Sequence, residues 1–90
     1  MTEHDAYRIE MAERTVARTL RSLGYGRDEM DEIKTDSMGR LTRLAKETME
    51  NNPVEGTVCC LLSAAAERLA RDGIRLNFAV RKDDIRVSVA

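Results

Sequence analysis

Aromatic residues are scarce in this sequence, which has no Trp, a single Phe (Phe78) and two Tyr (Tyr7 and Tyr25). The core must therefore be built from Leu, Ile, Val, Met and Ala. Platforms for single-stranded nucleic acid rely on aromatic stacking, and so do many sugar sites. The scarcity of aromatic side chains argues against both functions.

Residues that carry out catalysis or bind metals are equally sparse. His4 is the only histidine, and we expect it to be solvated near the N-terminus. The adjacent residues Cys59 and Cys60 are not accompanied by further ligands at the spacing of a structural zinc site. We interpret them as small, buried, reduced residues, as is typical of a cytoplasmic protein. The sequence thus predicts no enzyme activity, no metal site and no cofactor.

The chain length and the net charge narrow the range of candidate functions further. Ninety residues suffice for a single domain (residues 1–90) with one core. The formal net charge is −1, so no overall field attracts nucleic acid or an anionic membrane. No apolar run approaches the roughly 18 residues of a membrane span, and the N-terminal segment lacks the apolar region of a signal peptide. We therefore expect a cytoplasmic protein with no membrane partner.

An amphipathic helix is predicted over residues 5–23. Gly24 suits the position just after a helix, and the run Gly24–Gly26 marks a loop. Apolar residues at helical spacing form the predicted buried stripe. They are Ile9, Ala12, Val16, Leu20 and Leu23.

The next segment allows two interpretations. Asp28 is a candidate N-cap, and apolar residues stay close to one helical phase beyond it. The segment forms either one helix over 29–51 or a short helix over 28–34 followed by another that starts near Ser37. The capping preference of Asp36 and Ser37 favours the break.

The clearest helix signals lie between Asn52 and Gly73. Asn52 is a candidate N-cap, Pro53 suits the first helical position, and Gly73 suits the position after the last turn. The sequence predicts a helix over Pro53–Asp72. Residues 57–66 (TVCCLLSAAA) contain no charged side chain, so we expect this helix to be buried on more than one side.

Residues 74–89 change to a period of two, which predicts a β-hairpin with one apolar and one basic face. An isolated hairpin is marginally stable, so its apolar face must pack on the helices. The predicted fold is α+β, with three helices, or four if the second segment is broken, followed by a C-terminal antiparallel hairpin. The apolar positions are Ile74, Leu76, Phe78, Val80, Ile85, Val87 and Val89.

The order of these elements over residues 40–90 loosely resembles that of a winged helix-turn-helix domain. The segments that carry the resemblance are Leu41–Ala45, Asn51–Glu55, Thr57–Val58, Glu67–Ile74 and the hairpin. In that family a recognition helix leads into a glycine-containing turn and a two-stranded wing, which implies DNA binding. The helix in the recognition position departs from the pattern, because it has no Arg, Lys, Asn or Gln between Pro53 and Arg68 to read base edges.

Charged side chains are unevenly distributed. Residues 28–36 are acidic, the first helix carries arginines one turn apart, and the hairpin carries a basic face. Each of these surfaces is a candidate for binding a partner. The candidate residues are Asp28, Glu29, Asp31, Glu32, Arg14, Arg18, Arg21, Arg75, Arg81, Lys82 and Arg86.

From these features we expect a small non-enzymatic interaction or regulatory module that binds another protein. Bacterial or phage accessory proteins and stoichiometric inhibitors are of this kind. The alternative is a DNA-binding, winged-helix-like transcriptional regulator that uses the basic hairpin face. The apolar surface of helix 53–72 and the open hairpin edge also predict a homodimer.

Overall fold

A computed structural model of the chain describes residues 3–44, 53–81 and 84–90. Within them, three helices precede a two-stranded antiparallel hairpin, so the predicted α+β class and element order are confirmed. Asn52, the predicted cap, and Lys82 in the hairpin turn lie outside the described residues. The elements are α1 (Glu3–Ser22), α2 (Arg27–Leu44), α3 (Pro53–Ala70), β1 (Leu76–Arg81) and β2 (Asp84–Val89).

The end of α1 follows from a glycine at the position where the chain must reverse. Gly24 adopts a positive φ of 88°, which costs other residues more than glycine. This conformation lets the Tyr25 N–H donate to the Leu20 carbonyl at 2.9 Å and the Gly24 N–H donate to the Arg21 carbonyl at 3.1 Å. The two bonds form a Schellman motif, so the predicted helix end at Gly24 is confirmed.

Continuity of α2 contradicts the predicted break near Ser37. Ile33 and Ser37, four residues apart on one face, are 1% and 6% exposed, and α2 packs on α3. The Asp36 carboxylate accepts a hydrogen bond from Arg40 Nε at 3.1 Å, a pair that spans one helical turn. Tertiary packing therefore outweighs the local capping preference of Asp36 and Ser37.

The N-terminus of α2 is capped two residues earlier than predicted. The helix begins at Arg27, and the Gly26 N–H donates to Glu29 Oε2 at 2.8 Å. A glutamate at the third helical position that reaches back to the capping residue is one half of a capping box. Asp28 lies inside the first turn, so its predicted role as N-cap is wrong.

The central element of the fold is α3, which packs against α1, α2 and β1. Val58, Leu62 and Leu69 on α3 are at most 1% exposed, which confirms burial on more than one side. Cys60 is also buried, but Cys59 is exposed. The prediction that both thiols are buried is therefore wrong for Cys59, because successive helical side chains point about 100° apart and no described element covers that side of α3.

The hairpin packs unevenly on the helices. β2 lies against α1 and β1 against α3, and Ile85 reaches the core at 5% exposure. Opposite Val87, Phe78 is 41% exposed, and the neighbouring Val80 is 37% exposed. The expectation that the helices cover the apolar face of the hairpin therefore holds for Leu76, Ile85 and Val87. It fails for Phe78, Val80 and Val89, which are exposed.

A buried arginine joins three elements at the turn end of the hairpin. Arg8 on α1 is 6% exposed. Its Nη2 lies 2.7 Å from Glu55 Oε1 on α3, and its Nη1 donates to the Arg81 carbonyl at 3.2 Å. Arg8 lies four residues before Ala12, so it continues the buried stripe of α1 by one position. The contacts of the Arg8 guanidinium therefore hold the turn end of the hairpin against α1 and α3.

Candidate interaction surface

A groove with a volume of about 600 Å³ separates the C-terminal half of α3 from β1. Its helical side presents small side chains, and its other side presents larger apolar ones. We call it the α3–β1 groove. It is lined by Ser63, Ala66, Glu67, Ala70, Gly73, Ile74, Arg75, Leu76 and Phe78.

The same uncharged side of α3 continues beyond the groove. Cys59, Ser63, Ala66 and Ala70 are three or four residues apart, so they share one face of the helix. Cys59 and Ser63 also line a smaller depression of about 260 Å³ next to arginines of α2. Between α2 and β1, α3 therefore presents an accessible strip whose four side chains carry no charge.

This strip is narrow because of the positions of its neighbours. Arg40 on α2 pairs with Glu67 on α3, and β1 contacts α3 on the other flank. Phe78 projects from that flank with 41% of its surface exposed. Exposed apolar surface that is contiguous and rimmed by charged groups is typical of interaction sites.

The backbone of β1 presents a second feature at the same place. The Ala90 N–H donates to the Arg75 carbonyl at 2.9 Å, and antiparallel pairs alternate between hydrogen-bonded and non-hydrogen-bonded types. From the register, Asn77 and Ala79 bond to β2, whereas the intervening residues direct their N–H and C=O groups away from it. These outward residues, which we call the β1 edge, are Leu76, Phe78 and Val80.

The β1 edge lacks the features with which proteins protect exposed strands. Such edges carry charges, proline or a bulge, and the segment Leu76–Val80 has neither charge nor proline and pairs without a bulge. β2 differs, because Arg86 lies within it and α1 packs against it. No third strand is found in the described part of the chain, so the β1 edge is open to another polypeptide.

Half of the predicted acidic site is engaged within the fold. Glu32 accepts hydrogen bonds from Arg71 Nη2 at 2.5 Å and Arg68 Nε at 3.2 Å. Together they hold the pKa of Glu32 below its ordinary value of 4.5. Glu29 caps Gly26, as described above, whereas Asp28 and Asp31 are exposed. Only those two acids retain the position expected of a free acidic surface.

A polar cluster that the sequence did not indicate joins the loop after α1 to the end of α3. The Tyr25 hydroxyl donates to Asp72 Oδ2 at 2.5 Å, and Arg68 Nη1 donates to the same oxygen at 3.0 Å. Both bonds lower the pKa of Asp72, and the first raises the pKa of Tyr25. The Arg68 guanidinium also lies 5.7 Å from the centre of the Tyr25 ring, a cation–π distance.

The predicted arginine stripe of α1 is exposed as a row. Arg14 pairs with Glu10 at 2.7 Å, and Arg18 and Arg21 are exposed beyond it. Arg21 shares a depression between α1 and α2 with Asp31. The structure thus brings one predicted basic residue and one predicted acidic residue together, but it does not join the stripe to the hairpin.

The basic face of the hairpin lies opposite its apolar face, as predicted. Arg75, Arg81 and Arg86 are exposed. Arg86 Nε donates to Asp84 Oδ2 at 2.8 Å, which lowers the pKa of Asp84. Because one of the three arginines is paired with an acid on its own strand, the hairpin presents a weaker positive surface than the sequence suggested.

Metal-binding residues and cysteines offer little reactive chemistry in the described part of the chain. Within it, no cluster of three or more His, Cys, Asp or Glu is placed to hold a metal ion. Burial raises the pKa of the Cys60 thiol and so disfavours the nucleophilic thiolate.

No helix in the described ranges combines the length and apolarity needed to cross a bilayer. Comparison with protein-family models, curated proteins and solved structures finds no match to this chain.

Proposed function

We propose that this protein is a small non-enzymatic module that binds another protein through the α3–β1 groove and the adjoining β1 edge. The observation that supports this proposal is the exposure of Phe78 and Val80 beside an uncharged strip of α3. Arg40 and Glu67 lie on the α2 side of the strip, and Arg75 accompanies Phe78 on the β1 side, so charged residues border the apolar surface as in the polar rim of many interfaces. Phe78 is the only Phe in the chain, and it lies at the surface.

Phe78 has the properties of a binding anchor. Removing apolar surface from water contributes roughly 25 cal/mol per Å², and a few buried aromatic side chains account for much of the energy of many interfaces. β1 holds Phe78 opposite Val87, and the helices fix the position of the hairpin. Little ordering of the side chain is then required on binding, which favours affinity.

The proposal includes a regulatory role of the accessory or inhibitor type in a bacterial or phage system. A module of this size would act by covering a surface of a larger protein. The exposed free thiol of Cys59 fits a reducing compartment. We therefore propose a cytoplasmic location.

DNA binding through the basic hairpin face is the second candidate, supported by the exposed arginines Arg75 and Arg81. Against it, Arg86 is paired with Asp84, and α3, in the recognition position, is packed against three other elements. A duplex-binding assay at increasing salt separates the candidates. Steep loss of affinity with salt would support phosphate contacts, and no binding at low salt would exclude DNA as the partner.

Affinity capture with matched variants tests protein binding. The bait is the full chain, and its partner is identified by mass spectrometry and then purified. We expect Phe78→Ser to weaken binding of the purified partner by about 2 kcal/mol, roughly 30-fold. Ala70→Arg should also weaken it, because a long charged side chain would fill the groove.

Met38→Ser is the matched control for this experiment. Met38 is 69% exposed and lies away from the groove, in a depression lined by all three helices. It should leave the affinity unchanged, although it removes a more exposed apolar side chain than Phe78. Equal binding by all three variants and the original chain would refute the proposed surface.

A further inference from the structure

We infer that the partner contributes a β-strand that pairs with the β1 edge and carries carboxylates opposite Arg75 and Arg81. This inference rests on the proposed function and specifies how the surface recognises its target. It commits to one occupant, an extended segment of another protein in which apolar and acidic residues alternate. The backbone, the side chains and the charges of β1 each support one part of it.

The outward backbone groups of β1 can pair with a strand of the partner but not with a helix. Leu76, Phe78 and Val80 direct their N–H and C=O groups away from β2, as their positions in the register require. A helix satisfies its own backbone groups and cannot bond to this row, whereas an added strand pairs with all three residues. No charged residue or proline between Leu76 and Val80 protects this row of backbone groups from pairing.

Side-chain alternation then defines the apolar face of the partner. Leu76, Phe78 and Val80 lie on the face of the hairpin that also carries the buried Ile85. Leu76 and Phe78 line the α3–β1 groove. Every second side chain of an added strand lies on this same face. Apolar residues at those positions would cover Phe78 and extend toward the uncharged strip of α3.

The other face of the added strand meets positive charge. Arg75 precedes β1 and Arg81 ends it, and both are exposed. The alternation of side chains along a strand places them on the face opposite Phe78, where Arg81 also lies opposite Asp84 of β2. Between them lie Asn77 and Ala79, which carry no charge. Opposite charges at cross-strand positions stabilise a sheet, and like charges destabilise it. A strand with carboxylates facing the two arginines therefore fits this edge better than a basic or neutral one.

The same charges disfavour a second copy of this chain as the occupant. A twofold antiparallel pairing that uses all three outward residues places Phe78 opposite its counterpart and Leu76 opposite Val80. In that register Arg75 faces Arg81 of the second copy at both ends. The predicted homodimer through the hairpin edge would therefore bring two pairs of like charges together. The charge pattern favours a different, acidic strand.

A matched pair of variants isolates the backbone contribution. Val80→Pro removes an outward N–H that the β1–β2 ladder does not use, and proline is tolerated at such edge positions. Val80→Ala keeps that N–H while it also removes apolar surface. With the purified partner, we expect Val80→Pro to bind about tenfold more weakly than Val80→Ala, the loss expected when one buried backbone hydrogen bond is removed.

A short synthetic peptide that alternates valine with glutamate serves as a probe of charge and strand pairing. It is added to isotope-labelled protein, and amide hydrogen exchange is followed by NMR. We expect exchange to slow at Phe78 and Val80 and to stay unchanged at Asn77 and Ala79, whose amides already bond to β2. The control peptide, which alternates valine with lysine, should give weaker protection. This measurement uses the unaltered chain and so does not depend on the folding of a variant.

The outcomes separate the inference from the proposed function. If Phe78→Ser weakens binding but Val80→Pro binds like Val80→Ala, and neither peptide protects Phe78, the groove binds protein without strand addition and the inference is wrong. If no variant changes the affinity, the proposed function fails as well. A dimer by light scattering that Val80→Pro converts to monomer would identify a second copy as the occupant and overturn the acidic strand.

Discussion

At the scale of single residues, the charged side chains of this protein divide into those that hold the fold and those that face solvent. Arg8 is the clearest member of the first group. It is buried among α1, α3 and the hairpin, although the apolar periodicity of α1 gave no reason to place an arginine there. Arg14, six residues further along α1, belongs to the second group because its side chain is 73% exposed.

Replacement of Arg8 should therefore destabilise the protein more than replacement of Arg14. Arg8→Met keeps much of the side-chain volume but removes the contacts to Glu55 and the Arg81 carbonyl. Hydrogen bonds to charged groups contribute about 1.5–3 kcal/mol, and the partial exposure of Glu55 reduces the loss. We expect the free energy of unfolding to fall by about 1–3 kcal/mol in urea titrations.

Arg14→Met is the control, since exposed ion pairs contribute about 0–1 kcal/mol. Arg8→Lys should be intermediate, because lysine keeps the charge without the planar fork that contacts two acceptors. If Arg8→Met and Arg14→Met lower the unfolding free energy equally, Arg8 does not join the hairpin to the helices.

At the scale of elements, local signals predicted the C-terminal ends of α1 and α3 well, and the N-cap and continuity of α2 poorly. Gly24 and Gly73 end their helices through bonds between neighbouring residues, so the sequence alone was sufficient for both. The continuity of α2 depends on the burial of Ser37, which is a tertiary contact that capping preferences do not contain. The packing of α2 on α3 outweighs the local preference for a break.

The sequence indicated the candidate site only in part, because it named the open hairpin edge and the apolar surface of helix 53–72 as surfaces for a second copy of this chain. The sequence directs attention to charged residues such as Glu32 and Arg86, but both are engaged in ion pairs within the fold. Cys59 and Phe78 have the chemistry of core residues, and only the positions of α2 and β1 decide that they are exposed. The alternation of apolar residues along β1 was visible in the sequence, but the fraction of this apolar face that the helices cover was not.

The continuity of α2 makes a prediction about Gly39, which lies in its interior. A methyl group at this position would meet no atom within 4 Å. Glycine within a helix costs about 0.5–1 kcal/mol relative to alanine. Gly39→Ala should therefore stabilise the protein by that amount and raise the Tm by about 2–6 °C.

Gly73→Ala is the matched opposite. Its added methyl group would also meet no atom within 4 Å, but Gly73 has a positive φ of 78°. Alanine in this conformation costs about 1–2 kcal/mol, so the Tm should fall. If Gly39→Ala lowers the Tm instead, residue 39 lies at a break and the interpretation of α2 as one helix is wrong.

At the scale of the whole molecule, ion pairs complete a core that is small and poor in aromatic residues. The polar cluster of Tyr25, Glu32, Arg68, Arg71 and Asp72 joins the loop after α1 to α2 and to the end of α3. In it the hydrogen bonds lower the pKa of Glu32 and Asp72. The stability of the molecule should therefore depend on pH through these two carboxylates.

The direction of this dependence follows from the pKa shifts. A carboxylate whose pKa is lower in the folded state stabilises the fold above its unfolded pKa, and that stability is lost as the pH falls through the folded value. The ordinary values are 4.5 for Glu32 and 3.8 for Asp72. We expect the Tm to be level down to about pH 5 and to decline below it.

A double variant tests whether these two carboxylates cause the decline. Glu32→Gln combined with Asp72→Asn should lower the Tm on the plateau and make the acid decline less steep. Asp31→Asn, at an exposed position of the same helix as Glu32, should leave the shape of the curve unchanged. Thermal unfolding by circular dichroism between about pH 2 and 8 measures these curves, and an equally steep acid decline in the double variant would show that other carboxylates control acid stability.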